Sequence, residues 1–302
     1  FSYFLPAEIL LSLWSMFVLL RLENIVFSAF GASQEAMPLY PTTIWNGYQV
    51  MGAYMVLVWQ FVRAAMPHLR QLWAEVMGDR SGAPAEREFI PPRFALLTLA
   101  VCTMVAIGWM TKLGMSPWMA TVEVIVTVFV IVVVMARSVN EAGMLMTETS
   151  FRPVDFVRLF TRLGSLGPQT LTALSLADAT FTRDMRGNLL STFMDGLKMA
   201  DLVKLDRRHL FGAIAASLGI TFIVGSALHL AIPYHRGAIT LYGYSYQWNA
   251  FASFQYFQPF IESPGTYDVR LPIFFSSGVV AAVALSIMRM RYAWWPLAPL
   301  GL

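Results

Sequence analysis

Hydrophobic positions in this chain come in long runs, and polar positions are gathered in the shorter segments between them. A helical run of about 20 apolar residues is long enough to cross the hydrocarbon core of a bilayer. Five runs meet or approach that length: residues 44–62, 94–110, 119–136, 210–232 and 273–288. With a further apolar stretch near the N-terminus, the pattern predicts an all-α polytopic membrane bundle with about six spanning helices.

The N-terminal stretch allows two interpretations. Residues 9–20 are apolar and follow Pro6, a residue typical of helix starts, and the apolar character resumes after Arg21 and Glu23. The run is either a short span that ends at Arg21 or a single longer helix over residues 6–30 with both charges inside the membrane. We favour the longer helix with buried charges, because an Arg21 on the outer side would break the distribution of cations described below.

One further apolar segment is too short and too interrupted to span. Residues 163–177 are broken by Gly164, Gly167 and Pro168, and they follow a charged, turn-like segment at residues 151–162. The pattern predicts a re-entrant or broken helix in addition to the six spans. Irregular backbone at membrane depth needs water or protein around it, so broken segments in transporters often line the substrate path.

The cations predict the orientation of the bundle. Most Lys and Arg residues fall within residues 63–93, 137–208 and 289–302, which places these segments on the cytoplasmic side. This arrangement requires residues 163–177 to enter and leave on the same side, or to be paired with a second weak segment. The cations then left on the outer side are Lys112, Arg236 and Arg270.

We expect residues 1–302 to form a single transmembrane domain with cytoplasmic segments at residues 63–93 and 178–209. The first of these segments is predicted to contain one short surface helix over residues 68–77. The chain begins without a methionine or a signal-peptide pattern and stops where another span could begin, so we expect it to be a fragment of a longer chain.

Composition supports the membrane class. Hydrophobic residues make up 57% of the chain and charged residues 13%, about half the share that is usual in soluble domains. The net charge of +3 does not indicate a nucleic-acid partner, because the cations cluster beside apolar runs. Cys102 is the only cysteine, which excludes a disulfide framework and a thiolate metal site within this chain.

Ionisable residues in the spans are the first candidates for function, because a charge at membrane depth is costly. Glu123 lies about one turn inside the fourth span, where it either serves the function or is wet because it is close to the outer end. Arg137 and Glu141 lie four residues apart at the end of the same span and would share a helix face. They are either a functional pair or a structural pair at the headgroups. Arg21 and Glu23 are candidates for substrate or proton binding if the first helix is continuous.

A second group of candidates lies in and after the broken segment. Gln169 and Asp178 accompany Thr170, Thr172 and Ser175, whose amide and hydroxyl groups suit a small polar substrate or a cation near unwound backbone. Helix–helix hydrogen bonding explains the same residues without a ligand.

No cofactor or metal site is predicted. The histidines lack neighbouring acids or cysteines at metal-ligand spacing, although His229 could relay protons. The sequence contains no P-loop, dinucleotide-binding, serine-elbow or HExxH motif. The aromatic stretch at residues 242–260 could form a ligand-stacking lid, but we favour an interfacial belt at the outer surface.

The segment MDGLKMADLVKLDRRHLFGAIAASLG resembles a pattern of the oligopeptide-transporter (OPT) superfamily, in which an acid and a lysine precede a basic pair and a glycine-containing span. The residues that match this pattern are Asp195, Lys198, Arg207, Arg208, Gly212 and Gly219.

The chain is more similar to a prokaryotic membrane family of unknown function that looks distantly related to these transporters. The similarity rests on the first-helix run LLSLWSMFVLLRLEN, on the Arg137, Glu141 and Gly143 pattern, and on the terminal run at residues 289–301. The resemblance implies a proton-coupled symporter of a peptide-like or metal-chelate solute in a prokaryotic inner membrane.

Three functions are therefore compared. The first is an OPT-like secondary transporter whose partners are membrane lipid and a small solute, with Glu141, Glu123 or Asp178 as proton carrier. The second is a non-catalytic structural subunit, with a homo-oligomer or a larger membrane complex as its setting. The third is a lipid- or glycan-handling enzyme, but the sequence contains no set of residues that identifies a catalytic acid for it. We therefore expect the protein not to be an enzyme.

Overall fold

A computed structural model describes residues 5–31, 35–77, 91–144, 147–182, 185, 187–205, 207–263 and 265–301. Apart from a single bridge between Ala36 and Thr43, the regular structure of these residues is helical. The α-helices are α1 (Ala7–Ala29), α2 (Ile44–Met77), α3 (Pro92–Lys112), α4 (Pro117–Ile125), α5 (Val133–Ala142), α6 (Pro153–Arg158), α7 (Pro168–Ala177), α8 (Leu189–Leu202), α9 (Arg207–Arg236), α10 (Asn249–Glu262) and α11 (Arg270–Arg291). Three π-helical segments, π1 (Val126–Val132), π2 (Asp178–Thr182) and π3 (Tyr244–Trp248), join consecutive elements.

Six helical stretches are long and apolar enough to span a membrane, as the apolar runs predict. They are Ala7–Ala29, Ile44–Met77, Pro92–Lys112, Pro117–Ala142, His209–Arg236 and Arg270–Arg291. The protein is therefore an all-α integral membrane bundle. The fourth span is α4, π1 and α5 in unbroken succession.

The first two helices are both longer than the shortest spans that the sequence allows. The first helix is continuous from Ala7 to Ala29, which confirms the longer of the two interpretations. The second helix does not end at Arg63 but continues through Pro67 to Met77. The helix predicted over residues 68–77 is thus the end of α2 and not a separate surface helix. The rest of that predicted loop, residues 78–90, lies outside the described residues.

Helices α2 and α11 form the closest helix pair of the bundle. A Cβ atom at Gly52 would collide with the Phe275 carbonyl oxygen, and one at Gly278 would collide with the backbone of Gln49. Small residues allow such close approach of two backbones in a membrane. Gln60 donates a hydrogen bond to the Ser286 hydroxyl (2.7 Å) further along, so the two helices run side by side in the same direction.

The segment predicted to be a broken helix is indeed broken. Leu163–Leu166 forms a short 3₁₀ turn, Gly167 follows with φ = +82°, and α7 begins at Pro168. Glycine suits this position because other residues rarely adopt positive φ. Helix α7 then changes into π2 at Asp178.

Contacts between segments define the two ends of the bundle. At one end Glu8 pairs with Arg289 (3.6 Å), and Ala142 packs against Ile9 and Ala298. At the other end Thr170 accepts a hydrogen bond from the Ser116 amide (3.3 Å), and Arg270 pairs with Glu35 (3.7 Å). The Tyr267 hydroxyl also donates to the Leu159 carbonyl (2.7 Å) there, which places the end of α6 at this second end.

The chain therefore passes from one end of the bundle to the other between Ala142 and α6. Residues 147–152 are non-helical, and Thr149, Phe151 and Arg152 are buried. The chain returns through α7 and π2 to α8, which packs beside α5 and whose capping residue Asn188 donates to the Val132 carbonyl (3.2 Å).

This path corrects one part of the predicted orientation. Residues 137–208 are not a single segment on the side of Arg137, because Arg152 and Arg158 lie toward the opposite end, near Tyr256 and Tyr267. The two-way path is the pairing with a second weak segment that the cation pattern allowed. Arg183 and Arg186, two cations of the predicted cytoplasmic segment, lie outside the described residues.

The aromatic stretch is not simply an interfacial belt. Ala252, Ser253 and Phe257 are buried because α10 packs against α7, while Tyr242 and Phe251 stay exposed. One face of α10 thus belongs to the core, and the prediction of a belt is wrong for that face.

Candidate functional site

A buried ion network lies where α6, π2 and α10 meet. Arg152 is fully buried (0% exposed) immediately before α6. Its guanidinium donates to both carboxylate oxygens of Asp155 (3.1 and 3.0 Å), and its Nη1 donates to Asp178 (2.9 Å). Buried charges are tolerated when they are paired and hydrogen-bonded in this way.

Local sequence explains how Arg152 and Asp155 come together. Pro153 begins α6, and the Asp155 carboxylate reaches back to accept a hydrogen bond from the Arg152 backbone amide (2.9 Å). An acid at the third helical position commonly satisfies an unpaired amide in this manner. Asp155 therefore holds Arg152 through both its backbone and its side chain.

Asp178 joins the network to two other elements. One carboxylate oxygen accepts from Arg152 and from the Ser253 hydroxyl of α10 (3.0 Å). The other accepts from the Thr182 hydroxyl at the end of π2 (2.6 Å). Asp178 is only 3% exposed, so it is a buried charge with every contact supplied by protein.

Aromatic rings enclose the Arg152 guanidinium. Its central carbon lies 4.6 Å from the Tyr256 ring centroid and 5.5 Å from that of Phe257, a cation–π arrangement. The Asp155 and Asp178 carboxylates accept hydrogen bonds from this guanidinium, and an arginine side chain keeps its proton in proteins. Arg152 is therefore a positive charge in this core.

Glu123 is the exception among these buried acids. It is 2% exposed, and its Oε2 atom is buried without a hydrogen-bond partner. The interpretation of Glu123 as a wet residue near the outer end is therefore wrong. It interacts electrostatically with Asp178, Arg152 and Asp155, so it belongs to the same buried cluster.

The buried acids around Glu123 outnumber the cations. Arg152 pairs with both Asp155 and Asp178, and Arg158, which donates to the Tyr256 hydroxyl (3.4 Å), interacts with Asp155 as well. A carboxylate at Glu123 would then be an extra negative charge in a core that already balances. A buried ionisable group in this position favours binding of a proton or another cation.

A π-helical segment lies next to each of the buried acids Glu123 and Asp178. Segment π1 begins three residues after Glu123, and Asp178 is the first residue of π2. Short π-helical insertions are rare and frequently mark functional sites. We define the buried charge cluster as Glu123, Arg152, Asp155 and Asp178.

The other predicted candidates lie elsewhere. Arg137 and Glu141 form an ion pair with both side chains 42% exposed, and the Arg137 guanidinium covers the Phe61 ring (4.0 Å to the centroid). Gln169 is exposed and takes no part in the cluster, although its neighbour Thr170 is buried.

The charges of α1 also stand apart from the cluster. Arg21 is exposed and lies over the Phe17 ring, so the prediction that it is buried is wrong. Glu23 is half-buried and accepts a hydrogen bond from Gln49 (2.6 Å). Arg21 lines a cleft on the surface of α1 together with Asn24 and Ser28, away from the buried acids.

Sequence reasoning found Glu123 and Asp178 but missed Arg152 and Asp155. Both missed residues lie in a charged, turn-like stretch that resembles a solvated loop. The Arg–Pro–Val–Asp order does signal a helix start, with proline first and an acid at the third helical position. Nothing in that order signals burial, which comes from α10 and π2.

The described residues contain no group of three or more His, Cys, Asp and Glu side chains that could hold a metal ion. The Asp155 and Asp178 carboxylates instead accept hydrogen bonds from arginine and hydroxyl groups. What the arrangement can do chemically is hold or release a cation at Glu123 while Arg152 keeps the neighbouring acids in place.

Comparison with known proteins gives one match. No curated protein and no solved structure matches the chain. The sequence profile of a family of unknown function matches all of residues 1–302. The chain therefore belongs to this family, DUF6785.

Proposed function

We propose that the protein is a proton-coupled secondary transporter in which Glu123 carries the coupling proton. The observation that carries this proposal is the buried Glu123 carboxylate, which has an unpartnered oxygen beside a charge-balanced ion network. Ionisable residues inside membrane bundles mark ion pathways and proton relays. A neutral, protonated Glu123 suits the closed core, and loss of its proton would favour rearrangement.

The helices around Glu123 support such a rearrangement. Transporters place substrate and ion sites at interrupted helices, whose freed backbone groups line the path. Here π1 follows Glu123, π2 starts at Asp178, and α7 is preceded by a break at Gly167. Arg152 is the positioning residue that joins π2 to α6 and α10, through Asp178, Asp155 and Tyr256.

The solute class rests on the resemblance to oligopeptide transporters. We propose a small peptide-like or metal-chelate solute, with symport in the cytoplasmic membrane of a prokaryote. Membrane lipid and the solute are then the partners, and a homo-oligomer is compatible with the exposed apolar helices.

Proton movement in proteoliposomes tests the proposal. A pH-sensitive dye trapped inside reports proton uptake when trialanine or ferric citrate is added outside. We expect solute-dependent acidification with the unaltered protein and none above background with Glu123→Gln, which cannot release a proton.

Glu141→Gln is the matched control, because Glu141 is an exposed acid of the same span and pairs only on the surface. It should keep most of the proton uptake. Solute uptake that is indifferent to a pH gradient and to Glu123→Gln would reject proton coupling through this residue.

Helix α9 favours a second candidate, the structural subunit. None of its described side chains is buried, and it packs mainly against α8 and the turn at Ala238–Thr240, with His229 stacked on Tyr246 of π3 (5.4 Å between ring centroids). Phe222, Ile223 and Leu230 are among its most exposed apolar residues. A membrane helix so free of contacts suits a subunit that packs against another protein.

Purification in mild detergent separates the two functions. Foreign subunits that copurify in fixed stoichiometry, together with no solute uptake by the isolated protein, would support the structural subunit. A homogeneous protein that moves solute on its own supports the transporter.

A further inference from the structure

Thr127 is a second buried oxygen without a partner, one helical turn from Glu123. Helical hydroxyl groups elsewhere in this chain donate to the carbonyl four residues earlier, as Thr121 does to Pro117 (2.8 Å) and Thr111 to Ile107 (2.8 Å). Thr127 would pair with the Glu123 carbonyl by the same rule. Its Oγ1 atom is instead buried with no hydrogen bond.

Glu123 and Thr127 are four residues apart on the continuous helix formed by α4 and π1. Residues at that spacing lie on the same helix face, so the two unpaired oxygens belong to one face of the fourth span. Thr127 is also the second residue of π1, where the regular pairing of backbone carbonyls changes. Side-chain oxygens together with carbonyls of interrupted helices are the groups that coordinate sodium in transporters.

The net charge of the buried acids and arginines favours a monovalent cation as the ligand. Arg152, which pairs with Asp155 and Asp178, and the neighbouring Arg158, which interacts with Asp155, carry two positive charges against the three carboxylates of the cluster. Ionised Glu123 therefore leaves this group with one excess negative charge. One positive charge would balance it. Within the described part of the chain, no three His, Cys, Asp or Glu side chains are arranged so that they could hold a metal ion together.

We infer that Glu123 and Thr127 form a binding site for a monovalent cation of sodium size, for which sodium and the proton compete. This inference rests on the same carboxylate as the proposed function and deepens it by naming a second coupling ion. Protonation of Glu123 removes the negative charge that the ion needs, so sodium binding weakens as the pH falls. Thr127 acts as a selectivity residue, since its hydroxyl serves a metal cation but is not needed by a proton.

Thermal unfolding of the purified protein in detergent tests the inference. Sodium chloride is titrated against choline chloride at constant ionic strength, and the midpoint temperature is recorded at a series of pH values. A ligand that binds the folded state raises this temperature with its concentration. We expect a saturable rise with sodium whose half-saturation concentration increases by about tenfold per pH unit on the acid side.

Substitutions show which residues the sodium-dependent rise in midpoint temperature requires. Glu123→Gln should abolish the sodium-dependent rise, and Thr127→Val should raise the half-saturation concentration about tenfold, since one oxygen ligand is lost. Thr121→Val is the matched control, because Thr121 lies on the same helix, is exposed and bonds its own backbone. It should respond to sodium like the unaltered protein.

The possible outcomes distinguish failure of the cation site from failure of the proposed transport function. No sodium-specific rise, or an equal rise in Glu123→Gln, overturns the cation site. If proton uptake still depends on Glu123 in that case, the proposed function stands and the site holds protons alone. A sodium-specific rise that requires both residues, in a protein that moves no solute, supports the site and rejects the transporter.

Discussion

At the scale of single residues, Arg152 has the most demanding environment in the described chain. It is a fully buried cation whose hydrogen-bonding groups face two carboxylates and whose plane lies against aromatic rings. Removal of one partner from a buried ion pair leaves the other charge unpaired, which costs more than the pair itself contributes. The role of Arg152 is therefore to stabilise the fold around Glu123. Its guanidinium donors are engaged by Asp155 and Asp178 and do not face an anionic ligand.

We predict that Arg152→Leu lowers the free energy of unfolding by about 3–5 kcal/mol, because Asp155 and Asp178 would remain buried without their cation. Denaturation in detergent, followed by circular dichroism, measures the loss. Arg137→Leu is the control, since its exposed pair should be worth less than about 1 kcal/mol. Equal losses for the two variants would contradict a special role for the buried network.

The sequence reveals only part of this site. Glu123 and Asp178 are recognisable because each acid interrupts an apolar or hydroxyl-rich run. Arg152 and Asp155 are not recognisable, since their burial depends on α10, about 100 residues later in the chain. For Arg21 the sequence predicts burial where the structure shows exposure. The helix is continuous as predicted, but no element of the described chain covers that face of α1.

At the scale of elements, apolar length determines where the spans lie, but it does not determine their ends or their irregularities. Helix α2 continues through Arg63 and Pro67 because polar residues can extend a helix beyond the membrane. Segment π1 lies in a run of Val, Ile, Thr and Phe that reads like any apolar helix. At its end the Val132 carbonyl accepts a hydrogen bond from the Asn188 side chain (3.2 Å), a contact between distant residues that the apolar pattern does not reveal.

The close contact of α2 with α11 gives a second prediction. Gly278→Ala should destabilise the bundle by about 2 kcal/mol or more, since the added methyl group meets the backbone of Gln49. The thermal midpoint of the detergent-solubilised protein measures this effect. Gly219→Ala in α9 is the control: nothing lies within 4 Å of its would-be Cβ, so the change should be neutral or slightly stabilising. A large loss from Gly219→Ala would show that α9 packs against a partner.

At the scale of the whole molecule, the path from Ala142 to α8 is the feature that the sequence describes least well. The cation pattern allowed the broken segment to be paired with a second weak segment, and the path of the chain has this form. That pattern did not reveal that residues 147–152 cross the bundle in non-helical form, because short polar segments carry no periodicity. Thr149, Phe151 and Arg152 of this crossing are buried in protein, which makes irregular backbone tolerable at membrane depth.

Cysteine labelling tests this path. In a Cys102→Ser background, Ser165→Cys should react with a membrane-impermeant maleimide from the same side as Thr266→Cys, because α6 contacts Tyr267. Asn140→Cys should react from the opposite side. Labelling of positions 165 and 140 from one side would restore the orientation predicted from the cations and contradict the crossing.

The α2–α11 contact has a consequence for synthesis in the cell. Gly52 leaves the ribosome some 220 residues before Gly278, so the partner face of α2 stays open while most of the chain is made. At about 5–20 residues per second this delay lasts roughly 10–45 s. During that time Glu23 of α1 can already pair with Gln49, but lipid or an insertion chaperone must cover Gln60, whose partner Ser286 is made only with α11. Truncation before α11 should therefore leave a nascent protein that is held by the insertion machinery and degraded.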